Sequence, residues 1–279
     1  MKVAIIGATS FIGQNLIKYF LKKKITIVCT FNKNLKIKKK ITNVVWKKLD
    51  LSKNKKNYFK YLGSPDVLIN LSWPNIPNYT TKNHLKTSYY QKRLNKNLIF
   101  NGLNNIIFLG TCFEYGDKKG SISERSRANP KIPYSIAKLK VLKNLIKLKK
   151  NYKFKLSWLR PFYVYGNNKK RETLYTIIND LKKVGGKLKL DGSLIRDFVP
   201  LEFLCKTIVK IALMNKDFGI INVCTGKGVS IKDFIKKNIK NKKNLKKINM
   251  NGKASLNFEP KKFWGNPNKL KKILNIKNN

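Results

Sequence analysis

Short apolar runs rich in β-branched residues alternate with longer segments of helical periodicity through about the first 165 residues of the chain. The runs are VAII (3–6), ITIVCT (25–30), DVLINL (66–71), NIIFLG (105–110) and FKLSWL (154–159). Leu139, Leu142 and Leu145, with lysines between them, predict an amphipathic helix over 134–150. Strands that alternate with helices pair in parallel through right-handed crossovers. We therefore predict an α/β fold built on a doubly wound parallel sheet.

The alternation weakens past about residue 165, where glycines cluster. A chain of 279 residues with 42% hydrophobic composition can bury one sizeable core and support a small second lobe. We predict a main domain over 1–165 and a smaller C-terminal lobe over 166–279, with some segments of the lobe returning to the main domain.

The first apolar run leads into GATSFIG (7–13) and a predicted helix over 12–22. A turn between a strand and a helix N-terminus is where dinucleotide-binding proteins hold a pyrophosphate. Gly7 permits the tight turn, and Gly13 permits close packing of the helix on the strand. Ser10 stands where such loops often carry a middle glycine, and its hydroxyl could donate to phosphate. The residues of this loop that we predict to bind a cofactor are Gly7, Ser10, Phe11, Ile12 and Gly13.

A second motif, GTCFEYG (110–116), is followed by PYSIAK (133–138). Tyr134 and Lys138 are four residues apart, so they share one face of a helix. A lysine ammonium beside a phenol favours the phenolate, so we expect the pKa of Tyr134 to lie below its ordinary value of about 10. Such a tyrosine is a usable acid or base near neutral pH. Thr111, at the end of a predicted strand, could orient a substrate carbonyl.

The chain carries 62 lysine and arginine residues against 13 aspartate and glutamate residues, a formal charge of +49. Such a charge attracts polyanions without selectivity. Nearly all of it is lysine, whereas arginine is the residue suited to bidentate contacts with phosphates and bases. The joint abundance of lysine, asparagine and isoleucine is typical of an AT-rich coding sequence. We therefore predict no specific nucleic-acid partner.

Other kinds of site have little support in the sequence. The cysteines Cys29, Cys112, Cys205 and Cys224 are scattered, and His84 is the single histidine. This pattern predicts neither a metal site nor a disulfide framework. The apolar runs fall short of the roughly 20 residues that span a bilayer, and VAII is too short for a secretory signal. We expect no membrane insertion and a cytoplasmic location.

With these motifs the sequence resembles the extended short-chain dehydrogenase/reductase family, the branch of NAD-dependent epimerases and dehydratases that acts on nucleotide-activated sugars. The resemblance covers almost the whole chain. Further matching segments are LDLS (49–52), DVLINLSW (66–73), LRPFYVYG (159–166), RDFVPLEFL (196–204), INVCTGKGVSIKDF (221–234) and FWGNPNKLKKIL (263–274). It implies a Rossmann-like nucleotide-binding domain, a lobe that binds the sugar nucleotide, and a homodimer formed through helices near 85–102 and 134–150.

The resemblance also implies roles for individual residues. Thr111, Tyr134 and Lys138 match the family's catalytic residues, among which the tyrosine exchanges a proton with a sugar hydroxyl or ketone. Arg196 matches an arginine that reaches the substrate pyrophosphate. The positions that match cofactor contacts are Asp50 and Leu51 beside adenine, Leu71 and Ser72 at a strand end, and Pro161 against nicotinamide.

Three places depart from the family pattern. The 4,6-dehydratases carry Asp-Glu directly after the threonine, whereas this chain has Cys112 and Phe113, which disfavours dehydration. Tyr163 stands where many members have an asparagine that contacts the substrate phosphate. Trp73 replaces a small residue at the mouth of the site, where its ring could stack on the substrate or fill core space. We assign Trp73, Tyr163 and Arg196 to substrate binding.

The segment CTFNKN (29–34), at the end of the second predicted strand, contains no acidic residue. A site selective for NAD commonly has an acid there to bind the ribose 2′-hydroxyl. Lys33 could instead contact a 2′-phosphate. We therefore expect NADP(H) in preference to NAD(H).

Three functions are compatible with these motifs. The first is reduction of a keto group at C4 of a nucleotide-linked deoxyhexose, as in the supply of sugars for surface polysaccharides. The second is a nucleotide-sugar 4-epimerase that retains its NAD. The third is a non-catalytic scaffold that binds NAD(P), and the intact set of Thr111, Tyr134 and Lys138 argues against it. The missing acid in 29–34 favours the reductase over the epimerase.

Overall fold

A computed structural model of the chain describes residues 1–23, 25–33, 41–167, 173–184, 186–252 and 260–276. Its strands are β1 (Lys2–Ile6), β2 (Thr26–Phe31), β3 (Val44–Lys48), β4 (Val67–Asn70), β5 (Asn105–Leu109), β6 (Gly120–Ile122), β7 (Lys155–Pro161), β8 (Tyr163–Tyr165), β9 (Leu188–Lys189), β10 (Ile195–Arg196), β11 (Phe198–Pro200), β12 (Gly219–Val223), β13 (Val229–Ser230), β14 (Ile248–Asn249) and β15 (Lys262–Gly265). Its α-helices are α1 (Phe11–Leu21), α2 (Tyr58–Tyr61), α3 (Asn83–Phe100), α4 (Pro133–Leu148), α5 (Leu174–Asn179), α6 (Leu201–Met214), α7 (Ile231–Asn238) and α8 (Asn268–Leu274).

The chain divides into two compact units. The first contains Met1–Glu114, Pro130–Arg160 and Cys205–Ile221, and the second contains Tyr115–Asn129, Pro161–Leu204 and Asn222–Asn279. Where the sequence predicted one main boundary near residue 165, the structure assigns 115–129 and 161–165 to the second unit and 205–221 to the first. The segment 115–129 belongs to the second unit because it carries β6, which pairs with β15.

A seven-stranded sheet in the order β12-β7-β5-β4-β1-β2-β3 is the framework of the first unit. The pairs from β7 to β3 are all parallel. From β1 the chain builds outward through β2 and β3, and it then returns to add β4, β5 and β7 on the other side. This reversal is the doubly wound pattern, and it confirms the predicted α/β, Rossmann-like fold. In such sheets a ligand binds at the carboxyl ends of the strands where the order reverses.

The strands predicted from apolar runs are all present, with ends within about two residues of the prediction. Their side chains are buried on both faces, as in β1, where Val3, Ala4 and Ile5 have no exposed surface. Parallel sheets covered by helices on both sides require such continuous apolar runs. The sequence pattern missed β3 because its residues are only half buried at the sheet edge and are flanked by lysines.

The second unit is built from short strands. A four-stranded sheet has the order β13-β10-β15-β6, and β11 pairs with β8 and β14 with β9. The buried carboxylate of Asp197 accepts hydrogen bonds from the backbone nitrogens of Thr225 at 2.8 Å, Gly226 at 2.9 Å and Gly265 at 3.3 Å. One side chain therefore joins β10, the loop after β12 and β15 of this unit.

Gly7 and Gly13 allow helix α1 to pack closely against the backbone of the loops that follow β1 and β4. Gly7 has φ of +82°, and a Cβ there would lie 2.9 Å from the backbone nitrogen of Ser72. A Cβ at Gly13 would lie 2.5 Å from the carbonyl oxygen of Gly7 and 2.6 Å from that of Ala8. Because these neighbours are backbone atoms, no side-chain movement can make room for a larger residue.

Across the described ranges, no helix combines the length and the apolar character needed to cross a bilayer. The same ranges contain no group of three or more histidine, cysteine or acidic side chains that could hold a metal ion. All four cysteines are buried thiols.

We predict that Gly13→Ala destabilises the protein. Alanine is intrinsically better in a helix by about 1 kcal/mol, so a net loss has to come from the contact with the backbone of Gly7 and Ala8. We expect a net loss of about 1–3 kcal/mol in the free energy of unfolding, measured in urea. Lys18→Ala, at an exposed position of the same helix, should stay within about 0.5 kcal/mol of wild type. Equal values for the two variants would contradict the close packing.

Candidate active site

A cavity of about 600 Å³ opens in the first unit where β1, β2 and β4 end. Its volume is in the range of about 300–1,000 Å³ that is usual for small-molecule and cofactor sites. Residues predicted to bind the cofactor that line it are Gly7, Ser10, Asp50, Leu51, Leu71 and Ser72. The cavity therefore brings together the loop after β1 and the segments that follow β3 and β4.

The loop after β1 is shaped for an anionic ligand. The Ser10 hydroxyl oxygen caps α1 by accepting a hydrogen bond from the backbone nitrogen of Gly13 at 3.1 Å, and its proton can still be donated to a ligand. The Gly7 nitrogen donates to the Thr30 hydroxyl at 3.2 Å. A helix N-terminus directed at a cavity, reached through a glycine with positive φ, is the arrangement that binds phosphate groups. These residues fit the pyrophosphate of a dinucleotide.

Five of the predicted cofactor residues do not line the cavity, and one of them is Gly13, which is buried on α1. Phe11 and Ile12 have buried side chains on α1, where they pack in the core. Lys33 is exposed beyond the end of β2, and Asn34, the last residue of the segment considered for 2′-phosphate binding, lies outside the described residues. Pro161 ends β7 and belongs to the second unit.

The structure brings Thr111, Tyr134 and Lys138 close together. Tyr134 and Lys138 lie in the first two turns of α4, and both are buried. Thr111 follows β5, and its side chain is near enough to the Tyr134 phenol to lower the pKa of that phenol. This is the set expected from the spacing in the sequence, and all three belong to the first unit.

The protonation of this group differs from the expectation. Burial raises the pKa of Tyr134, with the phenol of Tyr79 adding to the rise. Burial likewise lowers the pKa of Lys138 to about 7. The phenol is therefore neutral at neutral pH, because the loss of water around Tyr134 outweighs the Thr111 side chain, which lowers the pKa.

The Lys138 ammonium sits among aromatic rings. Its Nζ donates to the carbonyl oxygen of Leu109 at 2.5 Å and lies 4.0 Å from the ring centroid of Trp73 and 5.2 Å from that of Phe108. The negative faces of aromatic rings attract a cation. Trp73, which we assigned to substrate binding, lines the cavity and also contacts Lys138, one of the residues predicted to be catalytic.

A buried ionic network below Thr111 was not found from the sequence. The Glu114 carboxylate accepts hydrogen bonds from the Thr111 nitrogen at 3.0 Å, from the Trp158 indole at 3.0 Å and from Nε of Arg160 at 2.8 Å. Burial raises the pKa of Glu114, and the Arg160 guanidinium and the other donors oppose that rise. A Cβ at Gly110 would lie 2.2 Å from the Trp158 nitrogen. The one signal in the sequence was an acid inside an apolar segment of a chain poor in acids.

The remaining predicted substrate residues lie in the second unit. Arg196 is buried, and its Nη1 donates to the carbonyl oxygens of Ile195 at 2.9 Å and Pro260 at 2.8 Å. Its guanidinium carbon is 5.2 Å from the ring centroid of Tyr163. Tyr163 and Arg196 are therefore neighbours, and part of the hydrogen-bonding capacity of the arginine is used within the fold.

Comparison with known sequences identifies the family. The sequence model described as "NAD dependent epimerase/dehydratase family" matches residues 3–224. The chain belongs to this family. The prediction of an enzyme of the extended short-chain dehydrogenase/reductase type is thus confirmed. Among curated proteins of the family, dTDP-6-deoxy-L-talose 4-dehydrogenase (NAD(+)) from Aggregatibacter actinomycetemcomitans is 25% identical over 272 residues, covering 95% of this chain and 99% of that protein.

Solved structures share the fold of this family member. MoeE5 in complex with UDP-glucuronic acid and NAD is similar with a TM-score of 0.83 at 18% identity, covering 99% of this chain and 93% of that chain. UDP-glucuronic acid 4-epimerase from Bacillus cereus, in complex with UDP-glucuronic acid and NAD, has a TM-score of 0.80 at 21% identity, covering 100% of this chain and 94% of that chain.

The expected preference for NADP(H) over NAD(H) is wrong. NAD is the cofactor in both solved structures and in the name of the curated relative. The prediction depended mainly on the absence of an acid in 29–34 and secondly on Lys33, which is exposed and does not line the cavity. Asp50 does line it, and hydrogen bonds from Ser52 lower the pKa of its carboxyl, so the cavity contains a negative charge. That charge opposes a 2′-phosphate.

We predict a pH-dependent contribution of Lys138 to stability. Its pKa is 10.5 as an ordinary value and about 7 in the folded protein, so between these values the unfolded chain binds a proton that the folded protein does not. The contribution of Lys138 to the free energy of unfolding is therefore complete above the unfolded pKa of 10.5, and it is lost as the pH falls toward the folded pKa of about 7. From pH 7 to 10, wild type should gain up to about 1.4 kcal/mol per pH unit relative to Lys138→Met. A pH-independent difference in urea unfolding would contradict it.

Proposed function

We propose that the protein is an NAD(H)-dependent oxidoreductase that reduces a 4-keto group on a nucleotide-linked deoxyhexose, in the supply of sugars for a surface polysaccharide. The observation that carries the proposal is the buried phenol of Tyr134, which lies near the Thr111 side chain and has Nζ of Lys138 5.8 Å from its ring centroid. Reduction of a ketone requires a proton donor at the carbonyl oxygen, and a phenol with a raised pKa is protonated at neutral pH.

In this mechanism the residues of the chain bind the ketone and supply its proton. A nicotinamide dinucleotide, which Gly7, Ser10 and Asp50 at the cavity would hold, would supply the hydride for the carbonyl carbon. The Thr111 hydroxyl orients the carbonyl oxygen, and Tyr134 transfers its phenolic proton to that oxygen. When protonated, which is its main form below its pKa of about 7, the side chain of Lys138 stabilises the phenolate that results, and its Nζ is 5.8 Å from the ring centroid of Tyr134. A proton from solvent then restores the phenol.

The curated relative supports chemistry at C4 of a deoxyhexose. Its name states a 4-dehydrogenase of dTDP-6-deoxy-L-talose, and the alignment runs through nearly the full length of both proteins. A dehydrogenase and a ketoreductase catalyse one reaction in opposite directions, so the same residues serve both. We also propose Tyr163 and Arg196 as substrate residues that bind the phosphate groups of the sugar nucleotide.

A 4-epimerase is the second candidate, supported by the similarity to a solved 4-epimerase that holds NAD. The correction of the cofactor removes one reason for preferring the reductase. An epimerase must begin by removing a proton from the substrate hydroxyl, which requires the phenolate form of Tyr134, and burial opposes that form. Dehydration has less support, because Glu114, the carboxylate next to Cys112 and Phe113, has no exposed surface.

The homodimer through α3 and α4 stays a proposal. Phe100 on α3 is 70% exposed and Ile146 on α4 is 49% exposed. Two large apolar side chains on neighbouring helices provide surface that a second copy of the chain could cover.

The reductase and the epimerase are separated by one experiment. We expect the purified protein to consume NADH when a dTDP-4-keto-6-deoxyhexose is added, as followed by the absorbance of NADH. Release of tightly bound NAD on denaturation, with interconversion of C4 epimers and no net NADH consumption, would replace the reductase by the epimerase. Absence of both activities and of bound dinucleotide would overturn an enzymatic role at this site.

We predict that Tyr134→Phe binds NAD as wild type does and loses turnover. The phenol transfers a proton and contributes little to binding, so kcat should fall by about 10²–10⁴-fold. Binding is measured by titrating intrinsic fluorescence with NADH. Tyr89→Phe, at a tyrosine that is 59% exposed on α3, is the matched control and should retain full activity. Full turnover of Tyr134→Phe would remove this residue from the mechanism.

A further inference from the structure

His84 is held in one tautomer by two hydrogen bonds. It lies on α3 and has no exposed surface. Its Nε2 is 2.7 Å from the carbonyl oxygen of Asn78, which can only accept, so Nε2 carries the proton. Its Nδ1 is 3.1 Å from the indole nitrogen of Trp73, which can only donate, so Nδ1 is the acceptor. The geometry is satisfied only by a neutral imidazole protonated on Nε2.

The tryptophan held by His84 contacts the catalytic lysine. The Trp73 ring centroid lies 4.0 Å from Nζ of Lys138 and 6.0 Å from the ring of Tyr134. The imidazole itself is 5.2 Å from the Tyr134 ring. Tryptophan is the side chain whose face attracts a cation most strongly, and the attraction is larger where water is excluded. The position of this one indole therefore affects the charge next to the phenol.

We propose that His84 is a positioning residue, which as the neutral Nε2–H tautomer holds the Trp73 indole against the Lys138 ammonium and thereby keeps a positive charge beside Tyr134. The consequence for catalysis rests on the proposed function, in which that charge stabilises the tyrosine phenolate. The effect of His84 on the protonation of Lys138 is a property of the protein alone and does not depend on which substrate the enzyme uses.

Protonation of His84 would break this arrangement. If Nδ1 also carried a proton, Nδ1 and the Trp73 indole nitrogen would both be donors, and the hydrogen bond between them would be lost. The titratable groups that face the imidazole are Lys138 and Tyr134, both from α4, and burial together with the Lys138 charge lowers the pKa of His84. The neutral form thus persists through neutral pH, and the contact is lost only as the pH falls below the ordinary histidine range.

The first test is the ¹⁵N spectrum of protein labelled at histidine, which reports on His84 alone because the chain has a single histidine. We expect a protonated Nε2 and an unprotonated Nδ1 at neutral pH, with the Nδ1 signal shifted in Trp73→Phe, which keeps a ring but removes the donor. A proton on Nδ1, averaged tautomers, or a spectrum unchanged in Trp73→Phe would overturn the proposal.

The second test measures the charge of Lys138 without substrate. In wild type, the stability difference from Lys138→Met should stop changing below the folded lysine pKa of about 7. His84→Leu removes the acceptor for Trp73 and weakens the contact that favours the ammonium. In the His84→Leu background the same difference should therefore keep changing to lower pH. An unshifted profile would overturn the proposal.

The third test uses turnover with the substrate found for the enzyme. His84→Asn places an amide oxygen near the position of Nδ1 and cannot titrate. We expect kcat of His84→Leu to fall about tenfold with KM nearly unchanged, the effect of one lost hydrogen bond, and His84→Asn to recover most of the loss without the acidic limb of the pH profile. Equal kcat in the two variants, or an acidic limb that persists in His84→Asn, would contradict the role.

Failure of the proposal can be separated from failure of the proposed function. If no 4-ketosugar is reduced, the proposed function fails, whereas the spectrum and the stability profiles still test the contact between His84, Trp73 and Lys138. If His84→Leu does not fold, Trp73→Phe takes its place in the second test, because it removes the same hydrogen bond while keeping an aromatic ring. The matched control for both is Tyr89→Phe, on the exposed side of the same helix.

Discussion

The parallel pairing of β1 with β2 on one side and with β4 on the other is the constraint on which the rest of the first unit depends. It leaves the loop after β1 where the strand order reverses, and Gly7 and Gly13 allow α1 to close on that loop. The helix N-terminus, Asp50 and the end of β4 then border one cavity. An insertion of side-chain volume at either glycine would separate the helix from the sheet and take the phosphate site apart.

The first unit also buries charges, and each is compensated in a different way. Glu114 is paired with Arg160 and with two further hydrogen-bond donors, so the cost of its desolvation is offset by direct contacts. Lys138 is in direct contact with the Leu109 carbonyl and with aromatic faces, while the Glu114 carboxylate raises its pKa through a Coulombic interaction. The ionic network is therefore suited to fixing Thr111 in place, whereas the lysine is suited to a change of charge.

A prediction for a residue was correct where it depended on neighbouring sequence, and it was wrong where it depended on contacts between distant segments. Tyr134, Lys138 and Thr111 were grouped from helical spacing and a strand end, which are local properties, and the structure brings them together. The protonation of the same residues was mispredicted, because the desolvation of Tyr134 depends on Tyr79 and on other rings from distant segments. The cofactor preference was wrong because it treated Lys33 and the absent acid as the only charges that matter.

The sequence by itself determined the α/β class with its doubly wound parallel sheet and the family, since each is encoded by local periodicity or by motifs in fixed order. Tertiary structure alone decided that Glu114 pairs with Arg160 and that His84 accepts a hydrogen bond from Trp73, whose ring lies beside Lys138. Those contacts join residues from separate strands and helices, and the free energies of burial and hydrogen bonding that set their charges exist only once the elements have packed.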